Sequence, residues 1–518
     1  MMCYIDLIRN SGLSLGGIYM SDYEIITGSV SLAKRKPDSN AKNDTMQRFY
    51  NQYPFFCGSA IVYGIVFAAC MYRNLHGLFS TILVYGTFVY AFLCIRRTSL
   101  RLEKKHIVYP VLGALLGFNL MFTMDPLLIF IDYVAILLVL FTGIFSVVGC
   151  TKQWDVEDFL SIVPRRIFGA LLLTRIGRII TDRQFFVGEE DSRSRKRKAV
   201  MKGILLSLPL LFLVTALLQY ADAVFGSMVS DILGGWDIGM LCGIVPTALV
   251  AIVFAYGSIR LFYQENVAVV PRDKRTKDPV ILITIGIVLG IVYVIFCAIQ
   301  VVYLFAGAGT LPEGYTYAQY AREGFFQLLA VCLINLVLIL TGIHHFREDR
   351  VLKGIMTGLI LCTYLMIASS AYRMILYVSA YNLTTLRVWV LWTLIWLTVI
   401  LTGAFISVYC TRFSLFFYSM IVTSVLYLMI AYARPAYIVA EYNLKMYATN
   451  LGTVSVIDEV VSLNGDAAGP VAEYLEGEYS EHLSRFFSKK RPLESDRIRK
   501  FNLSEQTYRE GAKNRRSR

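Results

Sequence analysis

The sequence predicts an all-α, polytopic integral membrane protein of about eleven transmembrane helices, and three observations carry that expectation. Of 518 residues, 56% are apolar and only 17% charged, against about 45–50% and about 25% in an average soluble domain. The mean hydropathy is +0.56. The apolar residues also come in blocks long enough to cross a bilayer, about 17–25 residues each, which a water-soluble core does not need. A soluble enzyme, a disordered chain and a disulfide scaffold are excluded by this arithmetic.

The expected spans lie near 55–72, 75–95, 107–123, 126–149, 203–221, 238–259, 280–307, 324–343, 351–371, 388–409 and 414–433. Only Arg73 and Asn74 separate the first pair, which predicts a tight hairpin. The seventh is longer than a span needs and is expected to tilt or fray near Gly307 and Gly309. The stretch 372–387 is where an extra or missing helix would reverse everything after it. Residues 1–54 read as a cytoplasmic linker without a cleaved leader, with Met20 an alternative start. Residues 55–434 form the membrane domain and 435–518 a soluble tail.

Direction follows from lysine and arginine, which are retained on the cytoplasmic side. Alternating the connections puts 32 of these residues on the side of the N-terminus and 4 on the other, leaving 14 of the 50 in residues 434–518. The N-terminus is therefore expected inside a bacterial cytoplasmic membrane. An odd span number puts the tail outside, although residues 485–518 alone hold 12 basic against 4 acidic residues.

The cytoplasmic segment 150–202 includes Phe159 to Asp182, whose apolar residues are interrupted by Arg165, Arg166, Arg175 and Arg178. It predicts a basic amphipathic helix in the headgroup layer, followed by the run Arg193 to Lys198 against anionic lipid. Such a segment could sense the membrane surface, but a plain topological anchor explains it as well. Three G-x-x-x-G pairs (Gly113/Gly117, Gly286/Gly290 and Gly354/Gly358) predict close helix packing.

Chemistry is sparse. Ten cysteines, mostly within apolar blocks and never as C-x-x-C, read as packing residues. No zincin, Walker A, nucleophile-elbow or dinucleotide motif occurs. The His344–His345 pair is expected to satisfy helix-terminal carbonyls, so neither a metal nor a cofactor is expected. Asp132, in PLLIFIDYVAILLVL, is the one ionisable residue deep inside a span. Asn119, Gln300 and Asn335 are adequately explained by interhelical hydrogen bonding.

The expected outer face gathers Asp222, Tyr320, Arg322, Glu323, Arg373, Tyr377, Arg387 and Arg434, with Asp231, Asp237, Tyr317, Tyr372 and Tyr381 nearby. Basic residues are disfavoured there, so each needs a partner or a purpose. Either the acids lock helix ends by pairing with the arginines, or two or three guanidinium groups leave a fork open for phosphate or carboxylate. Membrane lipids with anionic headgroups, an envelope polymer or a protein are the partners that would fit, and nucleic acid is not expected.

Four of these stretches carry a resemblance. YAQYAREGFF, the S-x-x-x-R-M-x-L-Y…Y-N-L-T-x-x-R string, ADAVF and RPAYIVAEYNL together resemble the bacterial integral-membrane family known as domain of unknown function 4173 (4153/4173-like), over roughly residues 200–475. Two departures stand out, Tyr220 before Ala221 and Asn382 before Leu383. The resemblance implies architecture and a bacterial origin without naming a reaction. Three functions stay open. The first is a non-enzymatic envelope sensor-accessory or scaffold. The second is a transporter or lipid translocator using Asp132. The third is a membrane enzyme on a lipid-linked anionic substrate, with only Asp222 and Glu323 to serve as base or nucleophile.

Overall fold

In hydrocarbon no water satisfies backbone N–H and C=O groups, so each apolar run must satisfy its own by coiling into a helix. The structure, a computed structural model, describes residues 49–97, 103–148, 154–171, 238–264, 275–302, 325–448, 455–474, 485–488 and 498–516, plus the isolated positions 200, 203, 207, 214 and 218. Among the described residues every regular element is helical apart from one isolated bridge, between Lys277 and Phe346.

In chain order the first helices are α1 (Tyr53–Met71), α2 (Leu78–Arg97), the short α3 (Val108–Asn119) and α4 (Pro126–Val148). The surface helix α5 (Val156–Leu171) comes next. It is followed by α6 (Ile238–Gln264), α7 (Pro279–Gln300), α8 (Phe325–His345), α9 (Arg350–Tyr381), α10 (Thr385–Tyr409) and α11 (Leu415–Ala433). Nine of these, all but α3 and α5, are long and apolar enough to cross a membrane. The chain is thus an all-α polytopic membrane protein.

Two spans differ from expectation. The run near 107–123 folds as only twelve α-helical residues behind a 3₁₀ turn, Lys104–Ile107. Together they reach about 26 Å, just short of the ~30 Å hydrocarbon core. The span expected to stop at 371 continues to Tyr381, making α9 32 residues long. At about 48 Å it must project well beyond that core. Asp349 caps its start by accepting from the N–H groups of Val351 and Leu352, and Asn382, at φ 68°, ends it. The region 372–387 therefore adds no crossing. Of the fifth expected span only positions 203, 207, 214 and 218 are described, all of them helical, and the expected fraying near Gly307 lies outside the described residues.

The largest core joins α7 to α11 with α3 and α4, around the buried Ile339, Ile360, Leu397 and Leu401. A second cluster packs α1 against α6 through Phe49, Phe56 and Tyr256. Gly64 permits that approach, since a Cβ there would collide with Ile252 of α6. Gly113 and Gly117 do the same for α3 against Phe88 and Val84 of α2, as does Gly286 of α7 against Ile355. Around Gly290, Gly354 and Gly358 a Cβ would meet nothing within 4 Å among the described residues, so none of the three is a packing seam between described helices. Helix α5 lies against α6 with Leu160 and Phe168 exposed, the form expected of an interfacial helix; residues 172–199 lie outside the described part.

Beyond Arg434, whose φ of 54° breaks the helix, Pro435 starts α12 (Pro435–Ala448). The chain continues through α13 (Ser455–Ser462), a 3₁₀ turn at Gly465–Ala467, α14 (Ala468–Glu473) and α15 (Leu503–Arg516). These elements build a small core of their own, in which Ala440, Val460, Val471, Phe487 and Tyr508 are buried.

Candidate functional site

Two polar centres stand out. The first is inside the bundle. Asp132 sits on α4 with no exposed surface. One carboxylate oxygen accepts from Asn119 Nδ2 at the end of α3, and the other from the Tyr427 hydroxyl of α11, both at 2.8 Å. Burying a carboxylate is costly unless donors surround it, and here each oxygen has one. The centre is a clasp between three helices.

Other intramembrane polar residues behave alike. Asn335 of α8 accepts from Tyr293 of α7 at 2.8 Å and donates to Thr363 of α9 at 2.9 Å. Gln300 Oε1 accepts from Ser369 at 2.7 Å and from Arg373 Nη2 at 3.1 Å, joining α7 to α9. Asn119, Gln300 and Asn335 are therefore interhelical ties.

The second centre lies where four turns meet the C-terminal segment. The Gly77 N–H donates to Leu120 O at 2.9 Å, so the α1–α2 and α3–α4 turns share one end of the bundle. Gly77, at φ 109°, lies so close to Lys500 and Phe501 that a side chain would be strained there. The Leu78 N–H donates to Phe501 O at 2.9 Å and the Leu503 N–H to Met121 O at 2.8 Å. Asn502 Nδ2 bridges the carbonyls of Leu120 (3.2 Å) and Thr123 (3.0 Å), while Ser504 donates to Phe122 O at 2.6 Å. Asp466 accepts from the Thr123 hydroxyl and the Met124 N–H, both at 2.7 Å. Arg434 donates to Ser504 at 3.2 Å. Asn443 of α12 exchanges two hydrogen bonds with Leu383, in the turn between α9 and α10. Thr123, Asn443, Asp466, Asn502 and Ser504 are all buried. Burial pushes the Asp466 carboxyl above its ordinary range, opposed by the Thr123, Met124 and Ser504 donors and by the Arg434 charge.

Of the residues singled out from sequence, the described ones engage the following partners. Arg387 donates to the Tyr381 and Asn382 carbonyls, the orphan acceptors at the end of α9, with its guanidinium 4.1 Å above the Tyr377 ring. Arg373 turns to Gln300, and Arg434 to Ser504 and the Tyr437 ring. Asp222, Tyr320, Arg322 and Glu323 lie outside the described residues. Of the centre around Asp466 the sequence singled out only Arg434 and, within RPAYIVAEYNL, Asn443; for Asp466 itself the one local signal is the turn-forming Asn464–Gly465–Asp466, where Asn464 caps the 3₁₀ turn.

At the opposite end the partners are charges. Glu348 pairs with Arg275 and Lys353, and the Lys353 hydrogen bond, with Arg275 beside it, holds Glu348 below the usual carboxylate range. His344 and His345 face Asp155 and Glu157 at the start of α5, each at 3.2 Å. These are carboxylates rather than the helix-terminal carbonyls expected from sequence. Among the described residues no group of three or more His, Cys, Asp or Glu is placed to hold a metal ion.

No curated protein and no solved structure matches the chain. A family model does, across residues 111–474, which runs from α3 to α14 and includes the whole Asp132 centre and the second centre apart from Gly77, Leu78 and the residues beyond 474. The match starts earlier than the motif resemblance, and its designation differs from the one the motifs suggested by a closely related number. The chain belongs to the family described as Domain of unknown function (DUF4153).

Proposed function

We propose that this protein is a non-enzymatic scaffold or sensor-accessory of the bacterial cytoplasmic membrane, with its C-terminal segment as the working surface on the extracytoplasmic side. The observation that carries this reading is the buried network of Thr123, Asp466, Asn502 and Ser504. It fixes a separately cored segment to the turns of a helical bundle. Any change in how those helices pack is felt at that surface, and a partner bound there is felt by the helices.

Orientation rests on charge. The turns that hold the segment carry Arg73 and Arg387, whereas the opposite connections carry most of the lysine and arginine. The transporter reading is less well supported, because both oxygens of Asp132 are taken by protein donors. The open-fork reading meets the same difficulty, since Arg373, Arg387 and Arg434 each donate to a neutral acceptor of the protein.

The test has two parts. In a cysteine-free background, Ser462→Cys on the exposed side of α13 should react with an impermeant thiol reagent in intact cells; reaction only after lysis overturns the orientation. In a strain lacking the gene, the Asp132→Asn chain should restore whatever envelope phenotype the loss produces, and a chain ended at Ala433 should insert but fail to restore it. The opposite pattern overturns the scaffold reading in favour of transport.

A further inference from the structure

Helices α1 and α2 form an antiparallel hairpin that stays apart along much of its length. Between them runs a groove of about 620 Å³, lined by Phe55, Gly58, Val62 and Val66 of α1 and by Ile82 and Gly86 of α2. That is within the ~300–1,000 Å³ of sites that hold organic ligands. Its floor is closed by Tyr63 and Tyr90, whose rings stack at 4.8 Å with Tyr63 bonded to Thr87. The emptiness is specific. Among the described residues a Cβ built on Gly58 or Gly86 would meet nothing within 4 Å, so the two glycines leave the groove open rather than letting α1 and α2 touch. Val62, Val66 and Ile82 are exposed along it.

From Pro54 to Cys70 the groove follows about 24 Å of helix, more than the ~15 Å that one leaflet contributes to the hydrocarbon core. One end is charged. Arg97 lies 4.6 Å above the Phe55 ring, and Gln52 ties the backbone there by donating to Arg97 O at 3.1 Å. Arg96 stands over Phe92 at 5.9 Å. Both arginines are exposed, and a guanidinium group held over a ring keeps N–H donors that can bind phosphate in a bidentate manner. An apolar slot long enough for one acyl chain, ending in two arginines at the end of α2, has the form of a lipid site between helices.

We infer that the α1–α2 groove is a resident site for one anionic glycerophospholipid, with an acyl chain against Gly58 and Gly86 and its phosphate on Arg96 and Arg97. The inference goes beyond the scaffold reading and does not depend on it, since it involves neither the C-terminal segment nor the absolute orientation. Lipid alone supplies no net drive for an acyl chain to choose this slot over bulk bilayer. Selectivity therefore comes from the arginines, and residence from the fit.

The full chain, purified in mild detergent with equal phosphatidylglycerol and phosphatidylcholine, should retain about one phosphatidylglycerol per chain by native mass spectrometry. The double variant Arg96→Gln, Arg97→Gln should lose roughly tenfold of that retention, the scale of a charge-assisted contact. Gly86→Leu should lower retention of both lipids, while Arg412→Gln, a basic residue elsewhere, should change neither. Equal retention of the two lipids, or an unchanged Arg96→Gln, Arg97→Gln variant, overturns the proposal. Disulfide-linked dimers through Gly86→Cys in a cysteine-free background overturn it too, by showing that a second copy fills the groove. Should the variants fail to fold, a photoactivatable phosphatidylglycerol added to the unaltered chain should label peptides 53–71 and 78–97. Labelling confined to other segments overturns it.

Discussion

The two ends of the bundle are held together by different physics. At the end that carries the C-terminal segment most contacts are buried hydrogen bonds from uncharged donors, to backbone carbonyls for Asn502 and Ser504 and to the Asp466 carboxylate for Thr123 and Met124. At the other, Glu348, Arg275 and Lys353 form an ion-pair group with side chains between 27% and 45% exposed. Directional hydrogen bonds away from water are costly to leave unmade and insensitive to salt. Exposed ion pairs contribute about 0–1 kcal/mol and are screened. One end is built to stay fixed and the other can be remodelled, the contrast expected if a docked segment is to report on the helices beneath it.

Breaking the fixed end should have the largest effect. Asp466→Ala leaves the Thr123 hydroxyl and the Met124 N–H buried without an acceptor, at a cost of about 2–4 kcal/mol. Limited trypsin digestion should then cut the C-terminal segment while the spans remain intact; an unchanged digestion pattern would show that the network does not hold it. Asp466 also gives that end a pH dependence. Its folded pKa lies above the ordinary ~3.9, so the docked state holds the proton more tightly. Stability from this group is therefore greatest below that value and declines as pH rises through the raised one. Melting of the parent relative to Asp466→Asn, followed between about pH 4 and 7, should show that decline; a rise would reverse the assignment.

A middle-sized effect belongs to the clasp inside the bundle. Tyr427→Phe removes one donor from Asp132 and should cost about 1–3 kcal/mol, read as a lower melting temperature in detergent. The smallest belongs to the charged end. Glu348→Gln should cost at most about 1 kcal/mol at low salt and nothing measurable in about 1 M salt. Because Lys353 depresses the Glu348 pKa, the same contribution is present above the ordinary carboxylate range and fades as pH falls through the depressed value. A salt-independent loss larger than that at Asp466 would erase the contrast between the ends.

Much of the bundle is legible in the chain, for an identifiable reason. Hydrocarbon thickness fixes how long an apolar run must be, so α4 and α10 begin and end within a few residues of where the pattern places them. Asp132 is conspicuous because a carboxylate stands out against PLLIFIDYVAILLVL, and Gln300 and Asn335 are found the same way. The length of α9 is less legible. Arg373 and Tyr377 look like the start of a connection, yet Gln300 and the Arg387 guanidinium give them partners that let the helix continue.

What the sequence determined by itself is where this chain coils and which of its segments belong in lipid, because both follow from local apolarity measured against a solvent of fixed thickness. Tertiary structure alone decided which turns meet. Thr123 and Asp466 lie 343 residues apart and are ordinary small polar residues in ordinary turns. No local pattern marks them; they matter only because folding buries both, and a buried donor must find an acceptor wherever the chain brings one.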